Sequence, residues 1–207
     1  IIEPSDVVVD YLRTMRGLSE DAIRARIVRS DPDAEYLETF AYDLGDIPVM
    51  VATPGDPRNG VPLAELAGDV KIDIAYGGSC TGGKKADMDM YAEVFREGLA
   101  RGLRVADGVR CYIQFGSQHI RRYAEEQGYV AIFEQAGVSL IQPSCGACIN
   151  AGPGASAGPS DVSVSPINRN FPGRSGPGQV YLASPLTVAA SALAGRVVGP
   201  DEILAGA

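Results

Sequence analysis

Residues 72–117, IDIAYGGSCTGGKKADMDMYAEVFREGLARGLRVADGVRCYIQFGS, decide how the chain folds. The β-branched run IDIAY at 72–76 reads as a strand that leaves through glycines. ADMDMYAEVFREGLA then places Tyr91, Phe95 and Leu99 at helical spacing, and CYIQF at 111–115 returns as a strand. Strand, helix and strand at this interval imply a βαβ unit, whose helical crossover calls for parallel pairing.

The same pattern continues downstream. Ser117 opens a helix ended by Gly128, and VSLIQ at 138–142 is another strand. Five segments, AYGGSCT, IQFGSQ, IQPSCGAC, VSPINRN and YLASPL, each leave a strand through glycine, proline or serine into polar residues. In a parallel sheet these exits gather at the carboxyl edge, where ligands bind. The predicted fold is therefore a three-layer α/β/α domain around a largely parallel sheet. PLTVAASALAG after Ser184 reads as a helix buried against that sheet, with Pro185 in its first turn and Gly195 at its stop.

Upstream, Ser5 is placed to cap a helix over 6–16 stopped by Gly17, and Ser19 opens a second helix. TFAYDLGDIPVMVAT at 39–53 reads as one or two strands, and PGDPRNGVP after it as a loop. The run 151–160 is low in complexity but short enough to be a loop, so residues 1–207 are read as a single α/β domain.

The 207 residues are 45% apolar and 21% charged, which suits a folded domain. A net charge of −8 argues against nucleic acid or an anionic membrane as partner. There is no run of eighteen apolar residues and no visible signal peptide, and the first residue is isoleucine, which reads as a processed product or a piece of something longer. The four cysteines are read as reduced thiols of a cytoplasmic protein.

Cys145 and Cys148 stand three apart in PSCGAC; alone they suit buried side chains or a redox pair as well as a metal site. Cys80, leaving its strand in GGSCTGG, is expected at the same sheet edge. Three convergent thiolates without a fourth suggest an iron–sulfur cluster with one open iron. Cys111, inside a strand, reads as core.

GSCTGGKKADM at 78–88, PSCGAC at 143–148 and SPINRNFPGRSG at 165–176, followed by YLASPLTVAASALAG, resemble the iron–sulfur domain of the aconitase superfamily. The likeness is to aconitase, homoaconitase and the large subunit of 3-isopropylmalate dehydratase. It implies a [4Fe–4S] cluster held by Cys80, Cys145 and Cys148, whose fourth iron acts as a Lewis acid in a hydro-lyase or isomerase working on a small hydroxy di- or tricarboxylate.

Ser79, Thr81 and Asn168 would then hydrogen-bond near the cluster, and Asn168, Arg169 and Arg174 would bind substrate carboxylates. Lys84 and Lys85 read either as added positive potential or as a solvated helix start, and His119 as a surface residue.

The resemblance also implies what this chain lacks. The general base is expected on a swivelling small domain or subunit, and further catalytic groups in the domains that precede this one, so the chain alone is expected to be inactive. Gly82 stands where the family usually has asparagine. Two other classes stay open: a non-catalytic aconitase-like scaffold or assembly domain without a cluster, and zinc binding through the same thiolates.

Overall fold

Capping chemistry organises the first residues of the computed structural model, which describes residues 2–205; residues 1, 206 and 207 lie outside them. Helix α1, Asp6–Arg16, ends on Gly17 at φ +65°, a left-handed turn that costs glycine little. Ser5 makes no side-chain cap; its carbonyl instead accepts the N–H groups of Val8 and Val9. Helix α2, Glu20–Arg24, is capped as predicted, with Ser19 Oγ accepting from the Ala22 N–H at 3.3 Å. Arg24 donates to both Glu20 and Asp6, tying α2 to α1. These elements belong to a unit spanning Ile1–Asp46, and a second unit spans Ile47–Ala207.

The stretch expected to hold strands over 39–53 gives only β1, Met50–Ala52, in the second unit; Leu44–Asp46, in the first, is a single 3₁₀ turn. Gly45 and Pro48 interrupt the run, and proline has no N–H to give to a ladder. The expected loop PGDPRNGVP instead closes a hairpin onto β2, Gly60–Pro62, with Val51 opposite Val61. The Thr53 N–H reaches the Asn59 carbonyl at 3.0 Å, and the Asn59 amide reaches the Pro54 carbonyl at 3.2 Å, so the turn satisfies its own polar groups.

The central elements follow the predicted alternation. β3 is Ile74–Gly78, α3 is Ser79–Gly82, α4 is Lys85–Ala100 and β4 is Arg110–Gln114. Ser117 Oγ caps α5, Gln118–Glu126, through the Ile120 N–H. Gly128 does not end the helical region: at φ +73° it turns the chain directly into α6, Tyr129–Ala136. β5 (Ser139–Ile141), β6 (Val162–Ser165), β7 (Gln179–Ala183), α7 (Pro185–Ala194) and α8 (Asp201–Leu204) complete the described elements.

The seven strands form one sheet in the order β2-β1-β7-β6-β3-β4-β5. Pairing is parallel from β7 through β5, while β1 runs antiparallel to β2 and β7. The expected mixed α/β architecture, a largely parallel sheet flanked by helices, is therefore present.

Alternation along β3 sends its residues to two cores. Ala75 joins the larger, with Met88, Tyr91 and Phe95 of α4, Phe133 of α6 and the small residues of α7. Ile74 and Tyr76 join the smaller, with Ala147, Ile167 and Val180. Each fully buried large side chain of these clusters contributes about 1.5–3 kcal/mol relative to exposure. The smaller core takes Ala147 and Ile167 from the segments that leave β5 and β6, so its packing helps to position them.

Candidate functional site

The loop carrying Cys80 is set by close backbone approach. At Gly78, φ +93°, a Cβ would stand 1.9 Å from the Gln114 carbonyl oxygen, so only glycine lets β3 leave beside the end of β4. The next residue, buried Ser79, has φ +66°, a left-handed conformation that a non-glycine residue holds at a cost. Its Oγ accepts from the Thr81 N–H at 3.4 Å.

Cys80 is exposed, and its sulfur lies 4.0 Å from Thr81 Oγ1. Lys84 Nζ donates to the carbonyls of Cys80 and Thr81 at 3.2 and 2.6 Å, and Lys85 lies 4.8 Å from the Tyr123 ring centre. Both lysines are thus engaged by the protein itself. Gly82 is buried; a Cβ there would meet Pro166 Cγ at 2.6 Å and Tyr91 Oη at 3.3 Å. The asparagine that the resemblance leads one to expect at this position would displace Pro166.

Gln114, fully buried at the end of β4, organises the second thiol loop. Its Nε2 donates to the carbonyls of Gln142 and Ser144 at 3.1 and 2.9 Å, and to Ser144 Oγ at 2.9 Å. Its Oε1 accepts from the Tyr76 hydroxyl. Gly146 passes so close that a Cβ would lie 3.0 Å from both Gln114 Oε1 and Tyr76 Oη. At Gly154, φ +92°, a Cβ would come within 2.3 Å of the Tyr76 ring, so the glycine-rich run 151–160 also packs on this tyrosine.

Neither Gln114 nor Tyr76 was singled out from the sequence. The available signal was a polar glutamine inside the apolar strand CYIQF, a group that burial obliges to find partners.

Cys145 is exposed and Cys148 half-buried, at the start and end of the turn that Gln114 holds. Tyr76 has its hydroxyl pushed above the ordinary tyrosine range, chiefly by burial and then by the negative charge the Cys148 and Cys80 thiols would carry. Cys111 is core, as expected, with burial alone pushing its thiol up to about 12. His119 is half-buried in the first turn of α5 rather than fully at the surface.

The third loop follows β6. Asn168 and Arg169 are exposed, whereas Asn170 is buried and pins the loop, its Nδ2 reaching the carbonyls of Thr53 at 2.8 Å and Val180 at 3.0 Å. Its carbonyl accepts the Gly55 N–H at 3.2 Å. Asn170 thus has a structural role beside the two residues read as ligand-binding. Arg174 is half-buried, and its Nε is buried with no hydrogen-bond partner. Beside it, Ser156 N–H and Oγ both donate to the Ser175 carbonyl, at 2.9 and 3.1 Å.

Comparison with known proteins places these loops in a family. The model of the aconitase family (aconitate hydratase) matches residues 65–195. The chain belongs to the aconitase family. It is 40% identical to the 3-isopropylmalate dehydratase large subunit of Clostridioides difficile over 99% of its own length and 47% of that protein's. The same subunit of Aquifex aeolicus is 37% identical over 99% of this chain and 46% of its own. A probable methanogen homoaconitase large subunit of Methanothermobacter thermautotrophicus is 37% identical over 98% and 45%. The chain spans about half the length of the curated relatives it matches.

Family membership does not carry the expected cluster with it. Among the described residues, no three His, Cys, Asp or Glu side chains form a group able to hold a metal ion. Cys80, Cys145 and Cys148 therefore do not make the three-thiolate seat that a [4Fe–4S] cluster requires. The expected cofactor, its metal-binding role and the Lewis-acid hydro-lyase or isomerase reading built on it are overturned. Each thiol loop has hydrogen bonds of its own, from Lys84 Nζ to the carbonyls of Cys80 and Thr81 in one and from Gln114 Nε2 to the Ser144 carbonyl in the other.

Among the described residues, no helix is long and apolar enough to cross a membrane.

Proposed function

We propose that this chain is an aconitase-family domain without a cluster, one that keeps the α/β scaffold for assembly and for recognising a small carboxylate. The observation that carries the reading is Arg174 Nε, a buried donor left unpartnered on a loop that also presents Asn168 and Arg169. A buried guanidinium N–H without an acceptor costs on the order of 1–3 kcal/mol, and a carboxylate oxygen removes that cost while drawing a charge-assisted bond. Arg169 and Asn168 supply exposed donors for a second carboxyl or a hydroxyl. Net charge of −8 disfavours anions at long range, so recognition here is local.

The ligand class follows from the chemistry and from the relatives' names: a small hydroxy di- or tricarboxylate such as 3-isopropylmalate or homocitrate. The partners of the reading are polypeptides, namely a swivelling small domain or subunit and the family segments this chain does not span; nucleic acid and membrane are not among them. Four free thiols support a cytoplasmic setting.

Calorimetric titration with 3-isopropylmalate, homocitrate and citrate tests this. Saturable binding to the chain alone is expected, weakened about tenfold or more by Arg174→Lys, which keeps charge but loses the planar fork. Replacing Cys80, Cys145 and Cys148 together by serine is expected to leave folding and binding in place. Equal titration of the parent and Arg174→Lys proteins, or collapse of the triple variant, would overturn the proposal.

A further inference from the structure

Buried polar atoms almost always find a hydrogen-bond partner, so those that do not call for a reason. Among the described residues four side-chain atoms lack one: Ser163 Oγ, Asn170 Oδ1, Arg174 Nε and Ser175 Oγ. They gather about the start of β7. Ser163 stands opposite Val180 in the ladder, and Asn170 Nδ2 donates to the Val180 carbonyl at 3.0 Å. The Ser175 carbonyl is joined through Ser156 Oγ to the Gly178 N–H, two residues before Val180. Asn170 and Ser175 are only 2% and 3% exposed, so bulk water does not serve them.

Asn170 is held in one orientation. Both hydrogens of its Nδ2 are used, on the Thr53 carbonyl at 2.8 Å and on that of Val180, so turning the amide over would set Oδ1 against two carbonyl oxygens. Its own carbonyl accepts the Gly55 N–H at 3.2 Å, which fixes the backbone as well. Oδ1 is therefore a preset acceptor without a donor. Four residues on, across the turn that the Arg174 N–H closes onto the Phe171 carbonyl at 3.0 Å, Arg174 Nε is a donor without an acceptor.

These two demands are opposite in kind. A carboxylate only accepts, so it answers Arg174 and leaves Asn170 unserved; a hydroxyl carried beside the carboxylate can donate, and answers Asn170 too. Ser175 Oγ acts either way and does not discriminate. We infer that Asn170 is a specificity-determining residue, whose Oδ1 accepts a hydrogen bond from a ligand hydroxyl while Arg174 takes the neighbouring carboxylate. The site then prefers a hydroxy acid to the same carbon skeleton without the hydroxyl, because the latter leaves a buried acceptor dry. This inference rests on the reading of Arg174 as a carboxylate donor, and it gives Asn170 a task beyond pinning its loop.

Calorimetric titration of the 207-residue chain with two matched pairs tests it: citrate against tricarballylate, and malate against succinate, each pair differing by one hydroxyl. The hydroxy acid of each pair is expected to bind at least about tenfold more tightly. Arg174→Lys should weaken both members alike and keep their ratio, whereas Asn170→Ala should bring the ratio to within about twofold of unity. A purely structural Asn170 would weaken both members by one factor, so the ratio separates the two roles. A second measurement needs no substitution: the carbon-13 resonance of Asn170 Cγ, which reports bonding at Oδ1, should move with citrate and stay in place with tricarballylate.

Equal affinity within both pairs overturns the inference, as does a parent-like ratio in Asn170→Ala or a Cγ resonance that citrate leaves unmoved. Equal affinities that Arg174→Lys lowers together leave the carboxylate reading standing while this one falls. Failure of all four acids to bind overturns both.

Discussion

Residues before 47 and residues after it obey the same physical rules with opposite results. In the larger unit every strand between β7 and β4 has neighbours on both sides, and Tyr91, Phe95 and Phe133 lie wholly out of water. In the smaller, two short helices bury Val9 and Ile23 while tyrosines, leucines and phenylalanine face solvent. The difference teaches that apolar composition does not measure closure. A sheet offers a broad face on which crossover helices shut, whereas helices of eleven and five residues have too little surface to cover each other.

The comparison breaks most visibly by removing one aromatic ring from each side. Phe133→Ala is expected to cost about 3–5 kcal/mol in urea unfolding, because the cavity opens between Phe95 and Tyr129, whose rings pack on it. Tyr11→Ala should cost no more than about 0.5 kcal/mol. Similar losses at the two positions would show that the first unit is as closed as the second.

Gln114→Leu comes next, at about 3 kcal/mol, since it leaves the Tyr76 hydroxyl and the carbonyls of Gln142 and Ser144 without their partner beneath the thiol loop. Faster alkylation of Cys148, measured by mass spectrometry, should accompany the loss; an unchanged rate would show that Gln114 does not hold this loop.

Gly82→Asn, which introduces the residue expected from the resemblance, should destabilise by about 1–2 kcal/mol, because Pro166 must give way. A rise in melting temperature would mean that the loop relaxes freely.

The smallest effect concerns the helix layer, where Asp89 accepts hydrogen bonds from Tyr123 at 2.6 Å and Tyr129 at 2.9 Å. The Tyr123 hydroxyl is held above its usual range, first by the bond to Asp89 and then by burial. A raised folded-state value means that the contribution is whole below about pH 10, where the unfolded tyrosine titrates, and fades as pH rises through the folded value. Stability of the parent protein should fall more steeply above pH 10 than that of Tyr123→Phe; parallel profiles would remove the Asp89 bond as the cause.

Much of the larger unit was legible because periodicity and caps are local. Tyr91, Phe95 and Leu99 announce α4, Ser117 and Ser184 cap the helices predicted from them, and the strand exits follow from glycine and proline. Boundaries failed where turn chemistry competed. Gly128 joins two helices, and residues 54–59 close a hairpin through Asn59. Ser79 and Thr81 stand in the short helix α3 and Arg169 and Arg174 on the loop after β6, but their spacing could not say which polar atoms would find partners.

The order of hydrophobic and turn residues by itself determined a largely parallel α/β sheet with its loops gathered at one edge, and its motifs determined the family. Whether thiols from separate loops form a group, whether Arg174 Nε is satisfied and where apolar surface stays open were decided only in three dimensions. Those are relations among atoms from distant segments, and no local pattern encodes such distances.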